Sequence, residues 1–287
     1  DRSVMIVGSG PAGLFCAYNL ARCGQRVTLI ERGSAVEKRK QDIEQFFKTG
    51  KLDPQSNVQF GEGGAGTFSD GKLTTGVKDY RKRFILETFV EHGAKEDILY
   101  VNKPHVGTDY LIKVVYNMRQ TIIKNGGTVL FDTKLVDLEI VDNCLKSIVI
   151  ERNNRKEKMN ADKLVLAIGH SARDSYEMLY QRGLDISQKS FAVGLRIEHL
   201  QSFINWHQYG KMANHQCLPT ADYKLAVKTS SGRGVYTFCM CPGGRVINSS
   251  SEVGGVVVNG MSNQARDDKN ANSAILVTVG PEDFDSD

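Results

Sequence analysis

The sequence predicts an α/β fold, with a parallel-sheet domain over residues 1–184 and a second, β-rich α+β domain over 185–287. Three observations predict it. The first 31 residues alternate strand, glycine turn, helix and strand. An apolar strand ending in glycine returns at 161–169, where the chain can re-enter the same sheet. Beyond about residue 185, short β-rich runs replace the long helical patterns.

Val4-Met-Ile-Val-Gly8 is a continuous apolar run, as a strand buried on both faces requires. Gly8-Ser-Gly10-Pro-Ala-Gly13 follows. Leu14, Ala17, Leu20 and Ala21 then recur at helical spacing up to Cys23, and Gly24 caps the helix. Arg26 to Ile30 is the second strand, and Glu31 stands at its end, 18 residues after Gly13. In such a unit Gly8 permits the tight turn, Gly10 lets a pyrophosphate approach the backbone, and Gly13 lets the helix pack close to the sheet. The amides at the helix N-terminus face the phosphates. Glu31 can accept both ribose hydroxyls, and its charge repels a 2′-phosphate, which disfavours NADP here. The whole is a Rossmann-like dinucleotide fingerprint. With Pro11 and Ala12 inserted, it resembles the GxGPAG form of glutathione reductase-like and related two-dinucleotide-binding flavoproteins. That resemblance implies FAD, held by Gly8, Gly10, Pro11, Ala12, Gly13, Glu31 and the adjoining Arg32.

Residues 35–48 are highly charged with a helical pattern, so a solvated surface helix is expected. Residues 50–76 are rich in Gly, Thr and Ser and read as a long functional loop. Together, 35–104 form an insertion in the first domain. Tyr80 to His92 reads as a helix. Tyr110 to Lys124 reads as an amphipathic one, with Leu111, Val114, Val115, Met118, Ile122 and Ile123 on or near one face. Strands are expected over Thr128–Val141, Cys144–Arg152 and Lys158–Ile168, with turns at Asp142-Asn143 and Asn153-Asn154. Ala161 to Gly169 resembles the strand by which those flavoproteins return to the nucleotide fold, and a helix follows from about Ser171 to Arg182. The resemblance implies close backbone approach to the cofactor at Gly169 and, beyond 128–131, around Lys134 to Val136. In the second domain, strands are expected at Phe191–Glu198, Tyr223–Lys228, Gly234–Cys239, Arg245–Asn248 and Val256–Asn259, with a short helix at His199–His207.

Gly61, Gly63, Gly64 and Gly66 preclude a regular helix or strand, so this backbone can lie against a flat ring or an anion. Thr67 and Ser69 add hydroxyls and Lys72 adds a charge, which would stabilise an anionic reduced flavin if held there. A flexible surface loop with a solvent-facing lysine is the alternative. Cys239-Met-Cys241 places two thiols on one strand face, a spacing too short for an unstrained disulfide. They are either small buried thiols or a redox or nucleophilic pair. Arg196 can clamp a carboxylate or form an ordinary salt bridge. Lys72, Arg196, Cys239 and Cys241 are the catalytic candidates. No second cysteine or histidine pair completes a zinc set, so no metal is expected.

Phe60-Gly-Glu-Gly-Gly-Ala-Gly-Thr-Phe-Ser-Asp-Gly-Lys-Leu73, Phe191 to Glu198, Val235 to Gly244 and Val258-Asn-Gly-Met-Ser262 are similar to the uncharacterised FAD-dependent dehydrogenase family of bacteria and plastids. The resemblance covers nearly the whole chain. It implies FAD and oxidoreductase chemistry with an unnamed small-molecule substrate. Members continue beyond the position matching residue 287, where a last strand of the nucleotide domain and a Gly-Asp turn would touch the ribityl chain. The second domain is therefore expected to be truncated here, as is the nucleotide fold. Hydride transfer between substrate and FAD is the leading expectation. A flavin-dependent hydroxylase or unsaturated-bond reductase is one alternative, and a non-catalytic FAD-binding or RNA-associated protein another.

The balance of 37 Lys and Arg against 33 Asp and Glu is too even to argue for nucleic acid. No apolar run approaches the ~20 residues needed to cross a bilayer. Six cysteines in a long chain without secretory context read as reduced thiols in a cytoplasmic setting, or a plastid one had a transit peptide been removed.

Overall fold

A computed structural model describes residues 3–284. β1 (Val4–Val7) runs into α1 (Pro11–Arg22), β2 (Val27–Ile30) and α2 (Val36–Thr49). A long irregular segment containing a 3₁₀ turn at Ala65–Phe68 leads to α3 (Arg81–Glu91) and α4 (Thr108–Lys124). β3 (Thr128–Leu130), β4 (Thr133–Val141), β5 (Cys144–Arg152), β6 (Arg155–Asn160), β7 (Lys163–Leu166) and α5 (Arg173–Gln181) complete the first half. Strands β3, β2, β1 and β7 form one parallel sheet in that order. β4, β5 and β6 form a separate antiparallel meander. The expected single strand over 128–141 is thus two: Asp132 takes φ 50 between them, and the chain leaves one sheet for the other.

The core of this half packs α1 and α4 against one face of the parallel sheet, through Leu14, Ala17, Tyr18, Val114, Met118 and Ile122 against Ile6 and Leu29. The apolar stripe of α4 is buried as its spacing demands, except Ile123, which is 47% exposed. The meander and α5 cover the other face. α2 departs from the solvated helix expected of its charges. It buries Val36, Ile43, Phe46 and, fully, Arg39.

The second half begins with β8 (Phe191–Leu200) and α6 (Gln201–Tyr209), followed by β9 (Ala226–Lys228), β10 (Gly234–Cys241), β11 (Arg245–Asn248), β12 (Val258–Met261) and β13 (Asn270–Val279). β8, β13, β10 and β9 form an antiparallel sheet in that order, and β11 pairs with β12. β13 lies inside this sheet, pairing along its full length with β8. Phe191, Val193, Leu195 and Ile197 alternate along β8 and are all solvent-exposed, so one face of the sheet is bare and apolar. No helix among the described residues is long and apolar enough to cross a membrane.

Candidate functional site

A cleft of about 450 Å³ opens at the carboxyl end of the parallel strands, where α/β sheets bind ligands. Gly8, Gly10, Pro11 and Ala12 line one wall, Glu31 and Arg32 another, and Gly64, Lys134 and Gly169 the remainder. Gly8 turns out of β1 at φ 97, and a Cβ there would stand 2.3 Å from the Ala167 carbonyl oxygen. A Cβ on Gly13 would stand 1.8 Å from the Gly8 carbonyl oxygen, so this glycine sets the helix against the strand turn and does not line the cleft.

Gly10 is different. Its φ is −64, which any residue adopts, and the nearest atom to an added Cβ would be Gly64 Cα at 3.9 Å. The protein alone would accept a side chain at Gly10. The bare backbone faces the cleft beside the open N-terminus of α1, which has Pro11 at its start and no acid in its first turn. A pyrophosphate on those amides fits both observations.

Glu31 is buried, and its carboxylate already accepts four hydrogen bonds. Ser9 gives its backbone N–H at 2.8 Å and its hydroxyl at 2.7 Å; Gly33 and Gly61 give backbone N–H groups at 2.9 and 3.1 Å. The expectation that Glu31 is free to take both ribose hydroxyls is therefore corrected. It ties the turns after β1 and β2 to the glycine-rich loop. Arg32 lies over the Phe60 ring at 4.3 Å and pairs with Asp174 at 2.6 Å. Lys134 pairs with the same carboxylate at 2.6 Å. Burial alone would raise the Asp174 carboxyl, but its hydrogen bonds to Arg32 and Lys134 prevail and hold it well below the usual range.

The glycine-rich loop is fixed by a residue with no motif around it. Arg39 donates Nε to Asn57 O at 2.9 Å, Nη1 to Glu62 O and Gly64 O at 2.6 and 2.9 Å, and Nη2 to Val58 O at 3.0 Å. Burial lowers its pKa to about 10, and it stays charged at neutral pH. Gly61 makes room for it, since a Cβ there would stand 2.4 Å from Arg39 Cδ. Glu62 is buried beside it. Its Oε2 accepts the Val36 N–H at 2.8 Å, and its Oε1 lies 3.4 Å from Arg119 Nε.

The loop's remaining expected cofactor residues do not line the cleft. Gly63 leaves space for the Thr67 hydroxyl, which would stand 2.1 Å from a Cβ on Gly63. Ser69 donates to Gly66 O at 2.8 Å and builds the turn itself. Val136 also lies off the cleft, whose wall from β4 is Thr133, Lys134 and Leu135. Lys72 pairs with buried Asp70 at 2.7 Å and reaches Cys241 of the second half, outside the cleft. Sequence reasoning missed Ser171 and Tyr176, which line the cleft with His170 just beyond Gly169. Their position directly after a return strand was the available signal.

The four catalytic candidates come together, though they span residues 72 to 241. Lys72 Nζ is 3.8 Å from Cys241 Sγ. Arg196 donates to Cys239 O at 3.2 Å and to Asn272 Oδ1 at 2.6 Å. The pleat argument for the thiols needs correction, because β10 shifts register between Phe238 and Cys241 and Cys239 takes φ 49. The two thiols still meet, at a bulge. A hydrogen bond from Cys241 lowers the Cys239 thiol to about 6 against the opposing effect of burial, and the same bond with burial pushes Cys241 up. All six cysteines are free, and no metal-ligand cluster occurs among the described residues. Ser249 and Ser250 are buried, with their hydroxyls on nearby turn groups, and line a smaller cleft of about 180 Å³ next to the first.

Comparison with known proteins adds the following. A profile described as pyridine nucleotide-disulphide oxidoreductase matches residues 2–190. A second, described as FAD-dependent protein, C-terminal domain-like, matches residues 190–287. An uncharacterised protein of Clostridium beijerinckii is 52% identical over 281 residues, covering 98% of this chain and 52% of its own length. The chain thus spans about half the length of that curated relative. Among solved structures, glycerol-3-phosphate dehydrogenase from Bacillus halodurans complexed with FAD is 11% identical, with TM-score 0.46 over 100% of this chain and 49% of that one. A geranylgeranyl bacteriochlorophyll reductase-like protein from Thermoplasma acidophilum is 12% identical, with TM-score 0.46 over 99% of this chain and 58% of that one.

Proposed function

The chain belongs to the pyridine nucleotide-disulphide oxidoreductase family through residues 2–190, residues 190–287 are similar to the FAD-dependent protein C-terminal domain, and on that premise we propose an FAD-dependent dehydrogenase. Its substrate is a small molecule, and hydride passes between that molecule and FAD. The observation that supports this reading is Gly10, a glycine that neither backbone strain nor protein packing requires, facing the cleft at a helix N-terminus. Bound FAD supplies the two-electron chemistry, and the protein binds and orients it. The α1 amides take the pyrophosphate. Ser9 and Glu31 take a ribose hydroxyl, the Ser9 hydroxyl acting as the movable partner. Gly169 and Gly64 allow close backbone approach. Arg39 keeps the loop under the cofactor in one shape. The proposal includes a reducing, cytoplasmic setting, in which the six cysteines stay free.

The test is anaerobic mixing of full-length, FAD-loaded protein with NAD(P)H and with a panel of small reductants, followed by flavin absorbance. Bleaching by an organic substrate supports a dehydrogenase. Flavin that stays oxidised with every reductant favours a non-catalytic FAD-binding protein. Substrate oxygenation under air would favour a hydroxylase.

A further inference from the structure

We propose that the bare apolar face of the second half's sheet is the docking surface for chain of the full-length protein that follows residue 287, and that this chain lays apolar side chains across β8, β13, β10 and β9. The proposal does not rest on the flavin reading, because no residue of this face lines the nucleotide cleft.

The cross-strand register makes the face continuous. Val193 stands opposite Val277, Val277 opposite Val235, and Val235 opposite Val227, so one row of four valines crosses all four strands. Side chains of directly opposed residues point to the same face. The next row sets Leu195 beside Ile275, and at the near end Phe191 stands opposite Val279. Leu195 is 79% exposed and Val227 64%. From Phe191 to Ile197 the strip runs about 20 Å, and the four strands make it about 14 Å wide. A contiguous apolar patch of this kind marks an interaction surface, and covering it is favourable in proportion to its area. The other face of the sheet already has its cover: Arg196 points into it, bonded to Asn272 Oδ1 at 2.6 Å, and Gly260 of β12 packs against both.

Three observations name the occupant. The Clostridium beijerinckii relative matches 98% of this chain, yet the match spans only 52% of its own length, so a protein of that size has nearly as much chain again to place. Phe284, the last described residue, already lies at a corner of this face, its ring stacked on Phe191 with centroids 6.0 Å and planes 18° apart. A 3₁₀ turn at Pro281–Asp283 directs it there, and Arg233 pairs with Asp283 to hold the turn. Finally, β8 is a ten-residue edge strand, paired on one side only among the described residues. A long apolar edge invites pairing with other chains unless something covers it. Chain arriving beside Phe191 meets both the face and this edge. Because it is tethered, it docks at an effective concentration on the order of millimolar, ahead of a second copy in dilute solution.

The test places the photo-cross-linker p-benzoylphenylalanine at Leu195 in the full-length protein, with cross-linked peptides read by mass spectrometry after illumination. The expected product has the mass of one chain, joins Leu195's position to a peptide from beyond residue 287, and forms in the same yield after dilution. A cross-link to a second copy, with twice the mass and a yield that falls on dilution, overturns the proposal. So does a cross-link to chain preceding residue 1, or none at all in the folded protein. A milder variant, Leu195→Cys in the full-length protein, decides alone if the first folds poorly. Iodoacetamide should label it at least about tenfold more slowly than the exposed Cys23, Cys144 and Cys217, as expected for a thiol taken out of solvent. Labelling as fast as those three overturns the proposal.

Discussion

Replacing Glu62 with Gln should remove a defined part of the protein's pH dependence of stability. Glu62 is 1% exposed, and burial is the main reason its carboxyl rises from 4.5 to about 7, partly offset by Arg119 and the Val36 N–H. In the unfolded chain the group returns to about 4.5. Between these values the folded protein binds the proton and the unfolded chain does not, so stability falls as pH rises through this window. A gap of about 2.5 units at about 1.4 kcal/mol each gives about 3 kcal/mol, present below pH 4.5 and lost above pH 7. Urea unfolding of parent and Glu62→Gln at pH 5 and pH 8, each analysed for its midpoint and slope, measures it. The parent should lose about 2–3 kcal/mol more than the variant between the two pH values, since pH 5 already lies inside the window. Comparing the two losses cancels groups shared by both proteins, including Cys239. Equal losses in parent and variant would refute the reasoning and mean that Arg119 keeps Glu62 ionised.

Gly10→Val should abolish FAD binding in a fluorescence titration while leaving the far-UV spectrum unchanged, because φ −64 suits valine and the nearest atom to a Cβ is 3.9 Å away; normal FAD affinity in the folded variant would contradict the cleft assignment. Glu31→Ala should weaken FAD binding by about 1–3 kcal/mol and also lower stability, since Ser9, Gly33 and Gly61 lose their common acceptor. An unchanged unfolding midpoint would show that those bonds matter little. Arg39→Met should cost about 3–5 kcal/mol in chemical denaturation, because the Asn57, Val58, Glu62 and Gly64 carbonyls are left without their donor; a loss under 1 kcal/mol would mean that the loop finds other partners.

The nucleotide-binding unit was legible because its signals are local. Gly8, Gly13 and the apolar runs around them act through backbone turns and contacts with close chain neighbours, and their spacing states the geometry directly. The helices over 81–91 and 108–124 followed from the same periodicity. β13 was overlooked, although Ile275 to Val279 carries a β-branched run, because its role comes from pairing with β8, as far away as Phe191. Charge patterning misread α2, since burial of Arg39 depends on loop carbonyls that converge only after the chain turns back. The sequence offered Lys72, Arg196, Cys239 and Cys241 one by one, each with an ordinary structural reading. Only tertiary structure brought them to one bulge and set Lys72 between Asp70 and the Cys241 thiol. The physical reason is range: steric and hydrogen-bond rules act between chain neighbours, whereas a shared proton or a paired charge needs groups a few ångströms apart whatever their separation in sequence.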